Sequence, residues 1–195
     1  MSVGHFPDDI CDRYEIKEWR HASAILKFDF TTEWEDLLAM LRAFRLRKSW
    51  ITEGGGNKTK LAQWVDVFLG ERGWREKHFS TAVVVDDVRI ESPTHKVDCY
   101  KNGIALEVEW NNKDPFYDRD LNNFRLLFDL RTVHVGIVFT RCDELQAVFN
   151  SLGRGSSYGN STTHMSKLLP RILGGGGAGC PIIVIGIQRQ LLVDD

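Results

Sequence analysis

Residues 97–110 read VDCYKNGIALEVEW, and this stretch decides the fold because Asn102-Gly103 separates two runs of alternating apolar residues. Asn-Gly in that setting is the strongest short-range signal for a two-residue type I′ hairpin turn. The turn sets a register in which Asp98 faces Glu107 across the hairpin. Because side chains alternate along a strand, Asp98, Glu107 and Glu109 are predicted to share one face, opposite an apolar face.

Three carboxylates on one face of a hairpin indicate a cation site. Two like charges directly opposite each other on a sheet repel, and a divalent cation removes that repulsion. Carboxylate oxygens, completed by water and substrate phosphate, suit Mg²⁺. A solvated acidic face on an edge hairpin is the alternative interpretation. In the same register Lys96 lies opposite Glu109, where a cross-strand ion pair is its simplest role.

Composition predicts an ordinary globular domain spanning residues 1–195. Hydrophobic residues make up 43% of the chain and charged residues 27%, and the net charge of −2 does not by itself indicate a nucleic-acid binder. No apolar run approaches the roughly 20 residues that cross a bilayer, and the N-terminus lacks a signal-peptide pattern, so no membrane contact is expected.

The cysteines are scattered and show no Cys-x-x-Cys spacing. They are therefore interpreted as free thiols in a reducing compartment, which predicts a cytoplasmic protein and disfavours a zinc site or a disulfide framework. The four positions are Cys11, Cys99, Cys142 and Cys180.

Hydrophobic periodicity predicts an α/β fold with a mixed central β-sheet and helices on both of its faces. Apolar residues recur at helical spacing in three segments, and continuous or β-branched apolar runs mark three strands besides the hairpin. Thr31 or Thr32 is the expected cap of the first helix, and Asn57 that of the second. The helical segments are 33–44, 58–69 and 118–130, with shorter helices at 143–152 and 163–173; the strands are 81–85, 133–140 and 182–187.

Two polar segments are candidates for nucleic-acid contact. Asn111, Asn112 and Lys113 directly follow the acidic strand; Asn pairs with adenine edges, and Lys reaches phosphate or guanine. The alternative for the asparagines is an ordinary turn or helix cap. A cation site beside base-reading groups is typical of an enzyme that cleaves phosphodiester bonds. The basic segment 42–60 is either a phosphate-facing surface or a solvated helix face.

Taken together, the pattern of Val97-Asp98, eight intervening residues and Glu107-Val108-Glu109-Trp110 resembles a known family. It is similar to the catalytic hairpin of type II restriction endonucleases of the PD-(D/E)xK superfamily, and within it to the BglII/BstYI group, with BamHI as a more distant relative. The resemblance extends from about residue 14 to residue 187. It implies a restriction-endonuclease-like core that carries both catalysis and DNA binding.

The resemblance also implies residue roles. Asp98, Glu107 and the backbone carbonyl of Val108 would hold Mg²⁺, and Glu109 would act as the base or orient water. Glu76 would be a further site residue at the end of a helix, with Lys77 as the alternative if the alignment slips by one position. Val97 stands where the superfamily has Pro, and Glu109 stands where it has Lys, which leaves the identity of the general base open.

A second DNA-contacting loop is implied near residue 158; an exposed surface loop without function is the alternative. Its candidate residues are Ser156, Ser157, Tyr158 and Asn160. The family implies double-stranded DNA as substrate, a palindromic site with a central GATC, and a homodimer whose two-fold axis mirrors the palindrome. The segment 118–130 is the expected interface, with a core-facing helix as the competing interpretation. A cognate DNA methyltransferase would be the functional partner, without physical contact.

Two other functions fit the same fold. A structure-selective or repair nuclease needs the carboxylates but has less need of the asparagines. A catalytically silent DNA-binding protein needs neither an intact acidic set nor a cation. The sequence favours the site-specific nuclease over both, because the acidic residues and the candidate base readers occur side by side.

Overall fold

The computed structural model describes residues 4–53 and 58–195, and its core is a six-stranded sheet. The helices of that part of the chain are α1 (Asp8–Cys11), α2 (Ala22–Asp29), α3 (Thr31–Ala43), α4 (Lys48–Thr52), α5 (Lys60–Gly70), α6 (Phe116–Asp129), α7 (Leu145–Ser151) and α8 (Met165–Leu173), with a 3₁₀ turn at Arg189–Leu191. The strands are β1 (Tyr14–Trp19), β2 (Leu46–Arg47), β3 (Arg75–Lys77), β4 (Ser80–Val85), β5 (Val88–Pro93), β6 (Val97–Lys101), β7 (Ile104–Glu109), β8 (Val135–Arg141), β9 (Ile182–Ile187) and β10 (Leu192–Val193).

The central sheet has the strand order β1-β9-β8-β7-β6-β3. Strands β7, β8 and β9 are parallel, while β1, β6 and β3 are antiparallel to their neighbours. Every residue of β7, β8 and β9 is buried, as expected of parallel strands covered on both faces. The predicted mixed α/β architecture is therefore confirmed.

Helices cover the two faces unequally. One face packs against α1 to α5 and α7 through a large apolar cluster that includes Leu37, Leu41 and Phe139. The other face packs against α6 and α8, with Phe124 and Leu168 among the buried contacts. Because α6 directly follows β7 along the chain, it returns over the face of β7 that carries the acidic residues.

The predicted helix and strand types are confirmed, while their capping is only partly as expected. Helix α3 begins at Thr31 with Phe30 at its N-cap and no side-chain capping bond, so the predicted threonine cap is wrong. Thr59 caps α5, its hydroxyl accepting a hydrogen bond of 3.2 Å from the Ala62 backbone NH. The expected cap Asn57 lies outside the described residues.

Strands β4 and β5 form a separate two-stranded sheet away from the core. Its valines and Ile90 remain largely exposed to solvent. The sequence predicted β4 but not its partner β5. In the described part of the chain, no helix combines the length and apolar character needed to cross a membrane.

Candidate active site

The predicted turn is confirmed, and so is the predicted register from Lys101 to Cys99, whereas the predicted pairing of Asp98 with Glu107 lies beyond the end of the ladder. Asn102 and Gly103 have φ values of 46° and 85°, as a type I′ turn requires. The β6–β7 ladder pairs Lys101 with Ile104 and ends with Cys99 opposite Leu106. Beyond this point the two strands diverge, next to a register shift between β6 and the edge strand β3.

Carboxylates occupy the gap between the diverging strands. The Val108 backbone NH donates a hydrogen bond of 2.9 Å to Asp98 Oδ2, and the Asp98 NH donates one of 3.2 Å to Glu107 Oε2. Each acid thus accepts a hydrogen bond from a backbone NH of the opposite strand. The exchange fixes both side chains without an ion.

Helix α6 buries the rest of the acidic face. Glu107 and Glu109 are 1% and 2% exposed, so the alternative of a solvated acidic face is excluded. Tyr117 anchors the start of α6 on the sheet through a hydrogen bond of 2.7 Å between its hydroxyl and Thr140 Oγ1. Thr140 in turn donates to the Glu109 carbonyl at 2.7 Å.

Asp120, a fourth acid that sequence reasoning did not single out, lies against Glu109. It is 1% exposed and belongs to the inner stripe of α6 that also contains Leu121, Phe124 and Leu127. Its Oδ1 accepts hydrogen bonds from Arg119 Nε at 3.0 Å and Nη2 at 2.9 Å. A charged residue within an apolar helical stripe was the signal that would have identified it.

The proton affinities of these acids are strongly perturbed. Burial, reinforced by the charges of Asp120 and Asp98, raises the pKa of Glu107 well above its ordinary value. Burial and the neighbouring Asp120 raise the pKa of Glu109 to about 9. Burial also raises the pKa values of Asp120 and Asp98, although the Val108 NH opposes the effect at Asp98. Strongly shifted acids in a cleft are typical of functional sites.

Two carboxylate oxygens of this cluster lack partners. Glu107 Oε1 and Asp120 Oδ2 are buried and accept no hydrogen bond from any described residue. Leaving such oxygens unpaired is costly, so they fit either a proton or a hard cation. The described residues contain no group of three acidic, His or Cys side chains already converged for metal binding. The carboxylate oxygens are chemically suited to bind Mg²⁺. In this structure, however, one oxygen of Asp98 and one of Glu107 accept hydrogen bonds from backbone NH groups instead.

An open cleft of about 260 Å³ borders the acids. Its lining residues are Lys58, Thr59, Ala62, Glu76, Asp98, Val108, Trp110, Asn111 and Asn112. The cleft therefore combines Asp98 with the predicted site residues Glu76 and Val108. Glu76 stands on strand β3 instead of a helix end, because α5 already stops at Gly70.

Lys96 does not lie opposite Glu109, which corrects the register prediction for this residue. Its Nζ is 2.9 Å from Glu76 Oε2, because the pairing of β6 with β7 ends at Cys99 and leaves the preceding residues beside β3. The contact lowers the pKa of Glu76. Both side chains are exposed at the rim of the cleft.

The asparagine segment is joined directly to the acids. Asn112 Nδ2 donates a hydrogen bond of 2.9 Å to Glu109 Oε2, and the Asn112 carbonyl accepts from the Thr163 NH at 2.9 Å. Asn111 lines the cleft, and its buried Oδ1 has no partner among the described residues. Lys113 is exposed, with its Nζ 3.5 Å from Ser161 Oγ.

The loop that contains Ser156 to Asn160, predicted as a second DNA contact, follows α7 and is anchored by hydrogen bonds from a buried arginine. Arg141, at the end of β8, donates to the Tyr158 carbonyl at 2.9 Å and to Thr162 Oγ1 at 2.8 Å. Tyr158 is 4% exposed and stacks on Phe149, so its side chain anchors the loop instead of presenting a surface contact, which corrects the prediction for that residue. The remaining candidates Ser156, Ser157 and Asn160 are exposed.

The basic segment 42–60 is largely engaged in ion pairs. Arg42 Nε lies 2.8 Å from Asp9 Oδ2, and Lys48 and Lys60 pair with Asp194 and Glu53. Of the bases in this segment, Lys58 lines the cleft, where it pairs with Asp66. A continuous phosphate-facing surface is therefore not supported by this part of the chain.

Comparison with known proteins identifies one family. A family model described as restriction endonuclease BglII/BglIII matches residues 14–187, from the first residue of β1 to the last residue of β9. The match covers the acidic hairpin, α6 and the loop after α7. No curated protein matches the chain.

We predict that Glu109→Gln makes the metal-free protein more stable at pH 8. A carboxyl whose folded pKa of about 9 exceeds its ordinary 4.5 holds its proton more tightly when folded, so its contribution to stability falls as pH rises between those values. Gln has no such loss. We expect the free energy of unfolding to increase by at least about 1 kcal/mol at pH 8 and by less at pH 5. For a chain of this length, each kcal/mol corresponds to about 2–4 °C in Tm.

Thermal melts in EDTA at the two pH values measure the difference. Glu35→Gln, at an exposed position on α3, is the control for the loss of one negative charge. An equal gain for Glu109→Gln at pH 5 and pH 8 would contradict the raised pKa.

Proposed function

The chain belongs to the BglII/BglIII family of restriction endonucleases, and from that premise we propose a Mg²⁺-dependent enzyme that cleaves a short palindromic site in double-stranded DNA. Family membership makes it a site-specific deoxyribonuclease. The observation that carries the finer proposal is the acidic cluster of half-buried Asp98 and buried Glu107 and Glu109, which adjoins an open cleft lined by Asn111 and Asn112.

Asp98, Glu107 and the Val108 carbonyl are the proposed Mg²⁺ ligands. The unpartnered Glu107 Oε1 supports this assignment, since a bound cation would satisfy it. When bound, Mg²⁺ would polarise the scissile phosphate and favour deprotonation of the attacking water. Glu109, held in place by the amide of Asn112, would orient that water, or accept its proton once a bound cation has lowered its raised pKa. Glu76, at the cleft rim, is the proposed further site residue.

The proposed DNA-reading groups are the asparagine segment and the loop after α7. Asn111 and Asn112 lie next to the acids, so they would meet base edges where a phosphate reaches the cleft. Lys113, Ser156, Ser157 and Asn160 present exposed polar groups toward the same substrate, and Tyr158 holds the loop in position. By resemblance to its family, the proposed target is a palindrome with a central GATC, protected in the host by a cognate methyltransferase.

We predict that Asp98→Asn and Glu107→Gln each abolish Mg²⁺-dependent cleavage while leaving the fold intact. Both amides retain a hydrogen-bond acceptor for the opposite backbone NH but lose the charge that binds a cation. Because substitutions outside the ligand shell already cost about 10–100-fold, we expect a loss of at least about 100-fold. Binding to DNA should be unchanged or tighter, since negative charge near phosphate is removed.

Plasmid nicking with Mg²⁺ and with EDTA, followed by sequencing of the ends, measures both activity and site. Thermal melting of each variant confirms folding, and Glu35→Gln serves as the charge-matched control. Cleavage at the parent rate by either variant would disprove the cation site. Binding without cleavage by the parent protein would favour a silent DNA-binding protein, and ends without a common sequence would favour a structure-selective nuclease.

We predict that Asn111→Ala narrows sequence discrimination. One good base contact is worth roughly 1–3 kcal/mol of discrimination, so the cognate site should lose about 10–100-fold in cleavage rate while sites changed by one base lose less. Competition cleavage between the cognate duplex and its single-base variants measures the ratio. Lys113→Gln serves as the comparison, because loss of a phosphate contact weakens binding to all DNA sequences equally and leaves the ratio unchanged. Unchanged ratios in Asn111→Ala would shift the reading role to the loop at 156–160.

We predict that the protein forms a homodimer through the outer side of α6. The inner side of this helix is buried on the sheet, whereas Phe116 and Leu130 are exposed at its two ends. Sedimentation equilibrium should give about twice the 22.3 kDa of one chain, at least in the presence of the cognate duplex. Leu130→Asp should shift the parent dimer toward monomer. Monomer alone at micromolar concentration, with and without DNA, is incompatible with the proposal.

A further inference from the structure

The acidic cluster poses an electrostatic problem for a polyanionic substrate. Asp98, Glu107, Glu109 and Asp120 lie together, and the proposed substrate brings at least one phosphate charge to the same place. With one divalent cation held by Asp98 and Glu107 and with Glu109 still protonated, the carboxylates and the phosphate together would remain negative. A further positive group beside Glu109 would therefore favour binding of the phosphate.

Arg119 is the cation that meets this requirement by position. Its Nη2 lies 3.6 Å from Glu109 Oε1, and its guanidinium stacks over the Phe116 ring at 4.2 Å. The side chain is 33% exposed, so it stands between the buried acids and solvent. The guanidinium is thus held between the Phe116 ring and the carboxylates of Glu109 and Asp120.

Asp120 acts as the positioning residue for this guanidinium. It accepts from Nε and Nη2, and both bonds use its single oxygen Oδ1. Among the described residues, the hydrogen bonds and ion pairs of Arg119 engage Nε and Nη2, which leaves Nη1 available as a donor. Arginine keeps its charge at any working pH and presents several donors to phosphate oxygens.

We propose that Arg119 is a catalytic residue that contacts the scissile phosphate through Nη1 and supplies the positive charge missing beside Glu109. This inference rests on the proposed nuclease function and adds a substrate-binding group to the same site. Lys58 lines the cleft and pairs with Asp66, whereas Arg119 lies outside the cleft lining and is the cation in contact with the Glu109–Asp120 pair.

The test compares Arg119→Gln and Arg119→Met with the control Arg42→Gln. Arg42 is also paired with an aspartate, Asp9, and its loss changes the net charge equally, but it lies on α3 away from the cleft. The probe is a duplex that contains the site found by sequencing the ends of cleaved plasmid. Single-turnover cleavage in Mg²⁺, the salt dependence of duplex binding in EDTA, and Tm are measured for each variant.

We expect both Arg119 variants to cleave about 10²–10³-fold more slowly, as is typical for loss of one donor to transition-state charge. The slope of log affinity against log salt should fall by about one, and Arg42→Gln should match the parent in both measurements. Arg119→Lys should recover part of the rate, because it keeps the charge but not the fork held by Asp120. If Arg119→Gln fails to fold, the test rests on Arg119→Met, because the Met side chain retains the apolar contact with Phe116.

Cleavage within about threefold of the parent, or an unchanged salt slope, in a folded Arg119 variant would overturn the inference. A purely structural role would lower Tm without altering the slope. If the parent itself cleaves no DNA in Mg²⁺, the proposed function fails. The salt slope, measured on a duplex with the central GATC in that case, still decides whether Arg119 contacts phosphate.

Discussion

The site depends on an exchange of hydrogen bonds at the point where β6 and β7 separate. Asp98 accepts from the Val108 NH, and Glu107 accepts from the Asp98 NH. The Asp98 carboxylate takes the place of the carbonyl that a regular ladder would offer to the Val108 NH, so the strands can diverge without leaving that amide unpaired. The opening at the end of the hairpin and the placement of its two acids are therefore one structural event. The cleft, with Val108, Trp110 and Asn111 on its wall, follows from that divergence.

Helix α6 converts this opening into a low-dielectric site. It follows β7 after a short turn and lies over the acidic face, where Asp120 joins Glu107 and Glu109 away from water. Desolvation raises the pKa values of Glu109 and Asp120, the charge of Asp120 raises that of Glu109 further, and Arg119 compensates only in part. Such a site binds protons or cations because its empty, fully charged form is unfavourable. Asn112 connects the same acids to the segment that we propose reads DNA.

Much of this arrangement could be predicted from the sequence, because the controlling signals are local. Asn102-Gly103 determines the turn and the register of the hairpin, and the apolar runs determine β8 and β9. Helical periodicity likewise located α3, α5 and α6. These features depend on residues close together in the chain, so spacing and turn chemistry suffice.

The remainder depends on tertiary packing that a local pattern does not contain. Asp120 lies beside Glu109 only because α6 folds back over β7, and Tyr158 is buried only because Arg141 and Phe149 hold its loop. Lys96 meets Glu76 because pairing stops before it reaches Glu109. The edge strands β1 and β3 were missed for the same reason, since each is defined by its neighbour more than by its own sequence.

The burial of Glu107, Glu109 and Asp120 has a consequence for directed evolution of this protein. Random substitution followed by selection for heat resistance, carried out in chelator, would favour neutral or apolar replacements at these three positions, because each removes a desolvated acid from the interior. The selected variants would be more stable to heat but would lack the acids that we propose act in cleavage. If these three acids persist while the rest of the sequence diverges, selection for activity must therefore outweigh the stability that their replacement would give.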